Sequence, residues 1–170
     1  MIQLNVTLSY YKRKDIQEEI IYNAQDREVV ARFNDSFGTR PDVLQHPRDI
    51  LELAKQGATS FHASEELWKN ALQLSPEMRK KELEDLRKGW DLILDIDCEY
   101  WEISKMISWL IIKSLKEFNV NSVSVKFSGN KGFHIGVPFE SFPKEINGKK
   151  TENLFPELPK AIAYFLLDKI

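Results

Sequence analysis

The chain has 170 residues, 42% hydrophobic and 29% charged, with 24 basic against 26 acidic side chains for a net charge of −2. That length suits one domain or two small lobes around a real core, and the charge balance argues against a protein that coats nucleic acid over its whole surface. Cys98 is the single cysteine, which excludes an intrachain disulfide and an all-cysteine zinc site; no run of eighteen apolar residues exists, and the opening does not read as a secretory leader.

Residues 9 to 25 read as a helix, with Ile16, Ile20 and Ile21 on one side and Asp15, Glu18 and Glu19 outside. Arg27 to Phe33 reads as a strand, followed by turn residues from Asn34 to Gly38. A helix is expected over 47–56, starting at Pro47 and stopping before Gly57. Residues 63 to 88 are polar and read as helical, with a start signal at Ser75-Pro76-Glu77. Asp91 to Asp97 form a short apolar run that suits a buried strand. Ile103, Met106, Ile107, Leu110, Ile111, Leu115 and Phe118 then fall at helical spacing, and Val123, Val125 and Phe127 alternate with polar residues. Strand, helix, strand predicts two parallel strands joined by a right-handed crossover. A last helix is expected over 157–170.

Two groups of residues carry chemistry. On a strand, Asp95 and Asp97 share a face, with alpha carbons about 6.6 Å apart. Two carboxylates that close repel each other, and a divalent cation with a taste for hard oxygen ligands, magnesium or manganese, relieves the repulsion. The plainer alternative is a pair of solvated strand-end carboxylates. The segment from Ser124 to Val137 reads as two strands and a tight turn. A three-residue loop, Asn130-Lys131-Gly132, sets Ser128 opposite His134 and Phe127 opposite Ile135, with the apolar residues on one face and Lys126, Ser128 and His134 on the other. Ser128 offers a hydroxyl, His134 a ring N–H, Lys131 a charge, and Gly129 and Gly132 allow backbone N–H groups near phosphate oxygens. Gly136 is expected to leave room above the sheet. The alternative is a turn of structural use only. Two basic clusters, Lys12-Arg13-Lys14 and the stretch holding Lys126, Lys131, Lys144, Lys149 and Lys150, read either as phosphate-attracting patches or as solvated faces.

Leu94-Asp95-Ile96-Asp97 followed by Ser128-Gly129-Asn130-Lys131-Gly132-Phe133-His134 resembles the hallmark motifs of the archaeo-eukaryotic primase superfamily, and in particular the catalytic small subunit of archaeal and eukaryotic DNA primases. Tyr10-Tyr11-Lys12-Arg13, Arg27-Glu28-Val29, Phe61-His62-Ala63-Ser64 and Gly89-Trp90 resemble weaker family stretches. The resemblance implies an α/β (α+β) primase-type catalytic core: a mixed sheet, a βαβ crossover, a β-hairpin carrying the nucleotide site, and helices packed around it. It implies one catalytic domain over 1–170, with an N-terminal lobe of about 1–88 and a motif-bearing sheet of about 89–170. Asp95 and Asp97 would ligate catalytic Mg2+ or Mn2+. Ser128, Gly129, Asn130, Lys131, Gly132 and His134 would hold the triphosphate.

The implied activity is DNA-dependent nucleotidyl transfer, making primers for replication. The implied partners are nucleoside triphosphates, a single-stranded DNA template, and a primase large subunit or further C-terminal segment, with no membrane. The implied setting is cytoplasmic or nucleoid-associated in a prokaryotic, archaeal cell. The family's third metal-binding aspartate, downstream of the second motif, has no counterpart before Ile170. A truncated or split subunit is therefore expected, and a non-catalytic module that binds nucleotide stands as the alternative. An apolar strand ending Asp-x-Asp also opens aspartate-based phosphotransferases, but Cys98-Glu99-Tyr100 lacks the Gly-Thr or Gly-Val turn typical there.

Overall fold

A computed structural model describes residues 4–170 as a mixed α/β chain in two compact units, Met1–Lys88 and Gly89–Ile170. The first three residues of the opening lie outside the described residues. No described helix is long and apolar enough to cross a membrane.

In the first unit, the helix expected over 9–25 is two helices, α1 (Leu4–Tyr11) and α2 (Lys14–Ala24). Arg13 breaks them with an extended backbone. The cause lies at Tyr11, whose buried ring packs edge-on against Phe61 and whose hydroxyl donates to the Thr59 carbonyl at 3.1 Å. The Gln17 amide donates to the Tyr11 carbonyl at 2.6 Å, satisfying a group that a continuous helix would have paired itself. Burial pushes the Tyr11 phenol above its ordinary pKa, and neighbouring Tyr10 adds to the shift.

β1 (Val29–Phe33) pairs antiparallel with the short β2 (Ser36–Phe37). α3 (Pro47–Lys55) starts where expected: the Asp49 carboxylate accepts from the His46 N–H at 2.8 Å. It stops before Gly57, whose φ of +102° suits a residue without a side chain. β3 (Ser60–Ala63) completes the sheet on the other side of β1, with Val30 opposite His62. Tyr11, Ala24, Val29, Leu44, Ile50 and Ala54 form the core.

The polar stretch expected to be helical over 63–88 is mostly not. It contains β4 (Glu66–Trp68), a single 3-10 turn at Ala71–Gln73, and α4 (Lys80–Leu86), before β5 (Arg87–Trp90) begins. Ser75-Pro76-Glu77 makes a turn closed by Met78 N–H to the Ser75 carbonyl. The helix starts later because Glu82 reaches back to accept from the Arg79 N–H at 2.7 Å. Tertiary packing overrides local preference here: Trp68, Ala71 and Leu86 are buried together, and Arg87 ion-pairs with Glu66 at 2.7 Å.

Several stretches singled out by their family likeness turn out to serve the scaffold. Glu28 is buried against a two-pronged pair with Arg40, at 2.7 and 2.6 Å. Arg27 donates to the carbonyls of Ser64 and Glu65.

In the second unit, β6 (Leu92–Ile96), α5 (Trp101–Glu117), β7 (Ser124–Gly129) and β8 (Gly132–Val137) are followed by a small hairpin, β9 (Glu145–Ile146) with β10 (Lys149–Lys150), and by α6 (Glu157–Leu167). The main sheet has the order β6-β8-β7. β6 and β7 run in the same direction, because each is antiparallel to β8, but they are not neighbours. The parallel pair expected from strand, helix, strand is therefore split by β8, and the sheet has only antiparallel pairings instead of being mixed. Burial explains the order: Ile135, Gly136 and Val137 are buried, as a central strand requires, whereas β7 is almost wholly exposed and takes an edge.

Leu92, Leu94, Ile135 and Val137 project from one face onto Ile111, Leu115 and Leu166 of the helices, and Trp90 joins them. The fully buried Trp90 indole N–H donates to the Thr151 carbonyl at 2.9 Å. A side chain at Gly89 would run into the Phe139 ring, so close packing demands glycine there.

Candidate functional site

The candidate site lies on the sheet face opposite the helices and at the hairpin tip. Leu92 and Leu94 are buried, while Ile93, Asp95 and Asp97 are exposed. β6 is thus buried on one face only, and the expectation of a strand buried up to its first carboxylate is corrected. The Asp95 side chain is 64% exposed, so its charge needs no partner to be tolerated. Asp91, which opens the same run, has a structural task instead: its carboxylate accepts from the Phe139 N–H at 3.0 Å.

The hairpin differs from its expected register in one informative way. Gly129 pairs with Gly132, leaving the two-residue loop Asn130-Lys131. A bulge at Ser128 follows, so Phe127 faces Phe133, Val125 faces Ile135 and Lys126 faces His134. Asn130 at φ 52° and Gly129 at φ 112° supply the left-handed backbone that the loop and bulge need. The loop is one residue shorter than expected and the bulge takes up one residue. The register therefore moves by two, and every side chain keeps its expected face. Val125, Phe127, Ile135 and Val137 do share one face, and Lys126 and His134 the other. On the apolar face, Phe127 and Phe133 pack with Trp101 at the hairpin tip, with ring centroids 5.0 to 5.8 Å apart.

The ladder brings the two motifs together. Asp95 pairs with His134 across β6 and β8, and the His134 Nε2 lies 3.4 Å from the Asp95 Oδ1. Ser128, displaced by the bulge, hangs over Gly132. A side chain at Gly132 would meet the Ser128 Oγ at 2.5 Å, the Ile96 carbonyl at 3.0 Å and the Asp97 Oδ1 at 3.8 Å. Asp95 and His134 therefore form one neighbourhood, and Asp97, Ser128 and Gly132 form an adjoining one. Asn130 and Lys131 sit exposed at the loop tip, outside the row that joins Asp95 to His134. Gly136 does not open room above the sheet. Ser124 fills that space, its hydroxyl donating to the Gly136 carbonyl at 3.3 Å, and a side chain at Gly136 would meet the Ser124 Oγ at 2.7 Å.

Lys126, part of the basic stretch and of the polar face read from the sequence, stands directly across from His134. Period-two alternation puts it on the correct face; the shorter loop and the bulge together, which pattern does not show, put it opposite the histidine. Among the described residues no group of three or more His, Cys, Asp or Glu side chains is arranged to hold a metal. The hard carboxylate oxygens of Asp95 and Asp97 still have the donor chemistry for magnesium or manganese, and both side chains are open to solvent.

No known family model matches the chain. A stretch of 61 residues, 35% of the chain, is 38% identical to the uncharacterized protein MJECS07 of Methanocaldococcus jannaschii, and the match takes in 14% of that protein's length.

Proposed function

We propose that this chain is a primase-type catalytic core, a DNA-dependent nucleotidyltransferase that binds a nucleoside triphosphate and divalent metal to make primers on a single-stranded template. The observation that carries the reading is the 3.4 Å approach of His134 to Asp95, which joins the two motifs on one sheet face. Asp95 and Asp97 would hold Mg2+ or Mn2+, and such an ion supplies neutralising charge for phosphate oxygens. Ser128 presents a hydroxyl with no hydrogen bond of its own among the described residues. His134 presents a ring N–H on the same side, and the glycine-rich hairpin gives phosphate oxygens access to backbone N–H groups. These groups bind and orient the triphosphate so that its α-phosphorus faces an incoming hydroxyl. A primase large subunit is the partner that this reading brings with it.

A second reading is a primase-like module that binds nucleotide and needs a further segment or partner for activity. Ligand count favours it, because two-metal phosphoryl transfer draws on more carboxylates than Asp95 and Asp97 supply.

The test is incorporation of labelled nucleotide on single-stranded DNA with manganese, alongside triphosphate binding. Incorporation that Asp95→Ala abolishes supports the enzyme. Binding without incorporation supports the module. Neither binding nor incorporation overturns both.

A further inference from the structure

We infer that Lys126, rather than Lys131 of the loop, is the cation that grips the phosphate chain, an assignment that rests on the triphosphate reading of the Ser128–His134 hairpin. The register sets Asp95, His134 and Lys126 in one row across β6, β8 and β7. Neighbouring strands lie about 4.8 Å apart, so the row runs from a carboxylate through an imidazole to an ammonium over two such spacings. A bound polyphosphate lying along that row meets metal-binding oxygens at one end and a positive charge at the other.

Lys126 is available for this role: it is exposed, and its side chain has no ion pair or hydrogen bond among the described residues. It also stands on a strand whose backbone is pinned by the ladder on both sides of His134, at Val125–Ile135 and Phe127–Phe133. Lys131 lacks that placement. It occupies the second position of a two-residue loop, beyond the last ladder pair Gly129–Gly132, and no strand holds its direction. A cation carried on a backbone already held in a ladder leaves only its side chain to be ordered on binding.

The experiment is calorimetric titration of inorganic tripolyphosphate and of adenosine triphosphate, with manganese, into the full chain and its variants. Lys126→Ala is expected to weaken both ligands about tenfold, the lower end for a charge-assisted contact. Lys126→Arg should recover most of the loss, and Lys131→Ala should change affinity less than twofold. Circular dichroism on each variant separates lost binding from lost folding. If the wild type binds and His134→Ala weakens it, but Lys126→Ala does not, the assignment of Lys126 is wrong while the site stands. A larger loss from Lys131→Ala than from Lys126→Ala overturns it equally. If the wild type binds neither ligand, the site reading falls and this assignment falls with it.

Discussion

His134 and Asp95 face each other across the β6–β8 ladder, with Nε2 and Oδ1 3.4 Å apart on the sheet face turned away from the helices. The pair ties two motifs separated by a long helix into one site. It also means that each group is the other's nearest polar neighbour of opposite character. A ligand that engages either side chain changes the surroundings of the other.

That arrangement predicts a weak metal site. Manganese titrated into the protein should broaden amide signals near Asp95, Asp97 and His134. Asp95→Asn/Asp97→Asn should remove the broadening, because the amides lack the charge that draws the ion. Equal broadening in both proteins would remove the metal assignment.

Triphosphate should bind at the hairpin. His134→Ala and Ser128→Ala each delete one polar contact to phosphate and are expected to raise the dissociation constant about tenfold, equivalent to roughly 1.4 kcal/mol. Unchanged affinity in both variants would mean that the hairpin is no phosphate cradle.

Much of this was legible in the residues themselves, for physical reasons that differ from element to element. The apolar runs at β6, α5 and β8 signalled their structure because each buries one face against the others, and the period of burial is the period of the backbone. Lys126 and His134 kept their expected face because side-chain alternation survives a two-residue shift. The failures share a different cause. The break at Arg13 depends on Tyr11 reaching Thr59, and the loss of helix over 63–79 depends on Trp68 and Arg87 finding partners far along the chain. The order β6-β8-β7 rests on how buried each strand is relative to the others, which no single strand's pattern states. The row from Asp95 to Lys126 was hidden by a loop one residue shorter than expected and one bulged residue.

Trp90 should be the most sensitive single position in the second unit. It is fully buried in the core, and its indole N–H is spent on the Thr151 carbonyl. Trp90→Ala is expected to cost about 3–5 kcal/mol of stability. Trp90→Phe should cost less, because it restores most of the volume while leaving that carbonyl without its donor. Thermal unfolding read by circular dichroism checks the ranking. A Trp90→Ala midpoint within about a degree of the wild type would contradict the described core.

Gly132 offers the sharpest test of the bulged hairpin, because two different neighbours crowd the same point. A methyl group there would sit 2.5 Å from the Ser128 Oγ and 3.0 Å from the Ile96 carbonyl oxygen. The first obstacle is the end of a side chain and can rotate away or be deleted. The second is backbone of β6 and yields only if the ladder moves. Gly132→Ala is therefore expected to destabilise the protein by about 1–3 kcal/mol. It should weaken triphosphate binding as well, since the displaced strand carries His134 away from Asp95. Adding Ser128→Ala removes the first clash alone, so the double variant should be more stable than Gly132→Ala and less stable than Ser128→Ala. In a double-mutant cycle the two changes should couple by at least about 0.5 kcal/mol, as for residues in direct contact. Strict additivity would mean that Ser128 does not lie over Gly132. A Gly132→Ala protein as stable as the wild type would mean that neither neighbour is where the register places it.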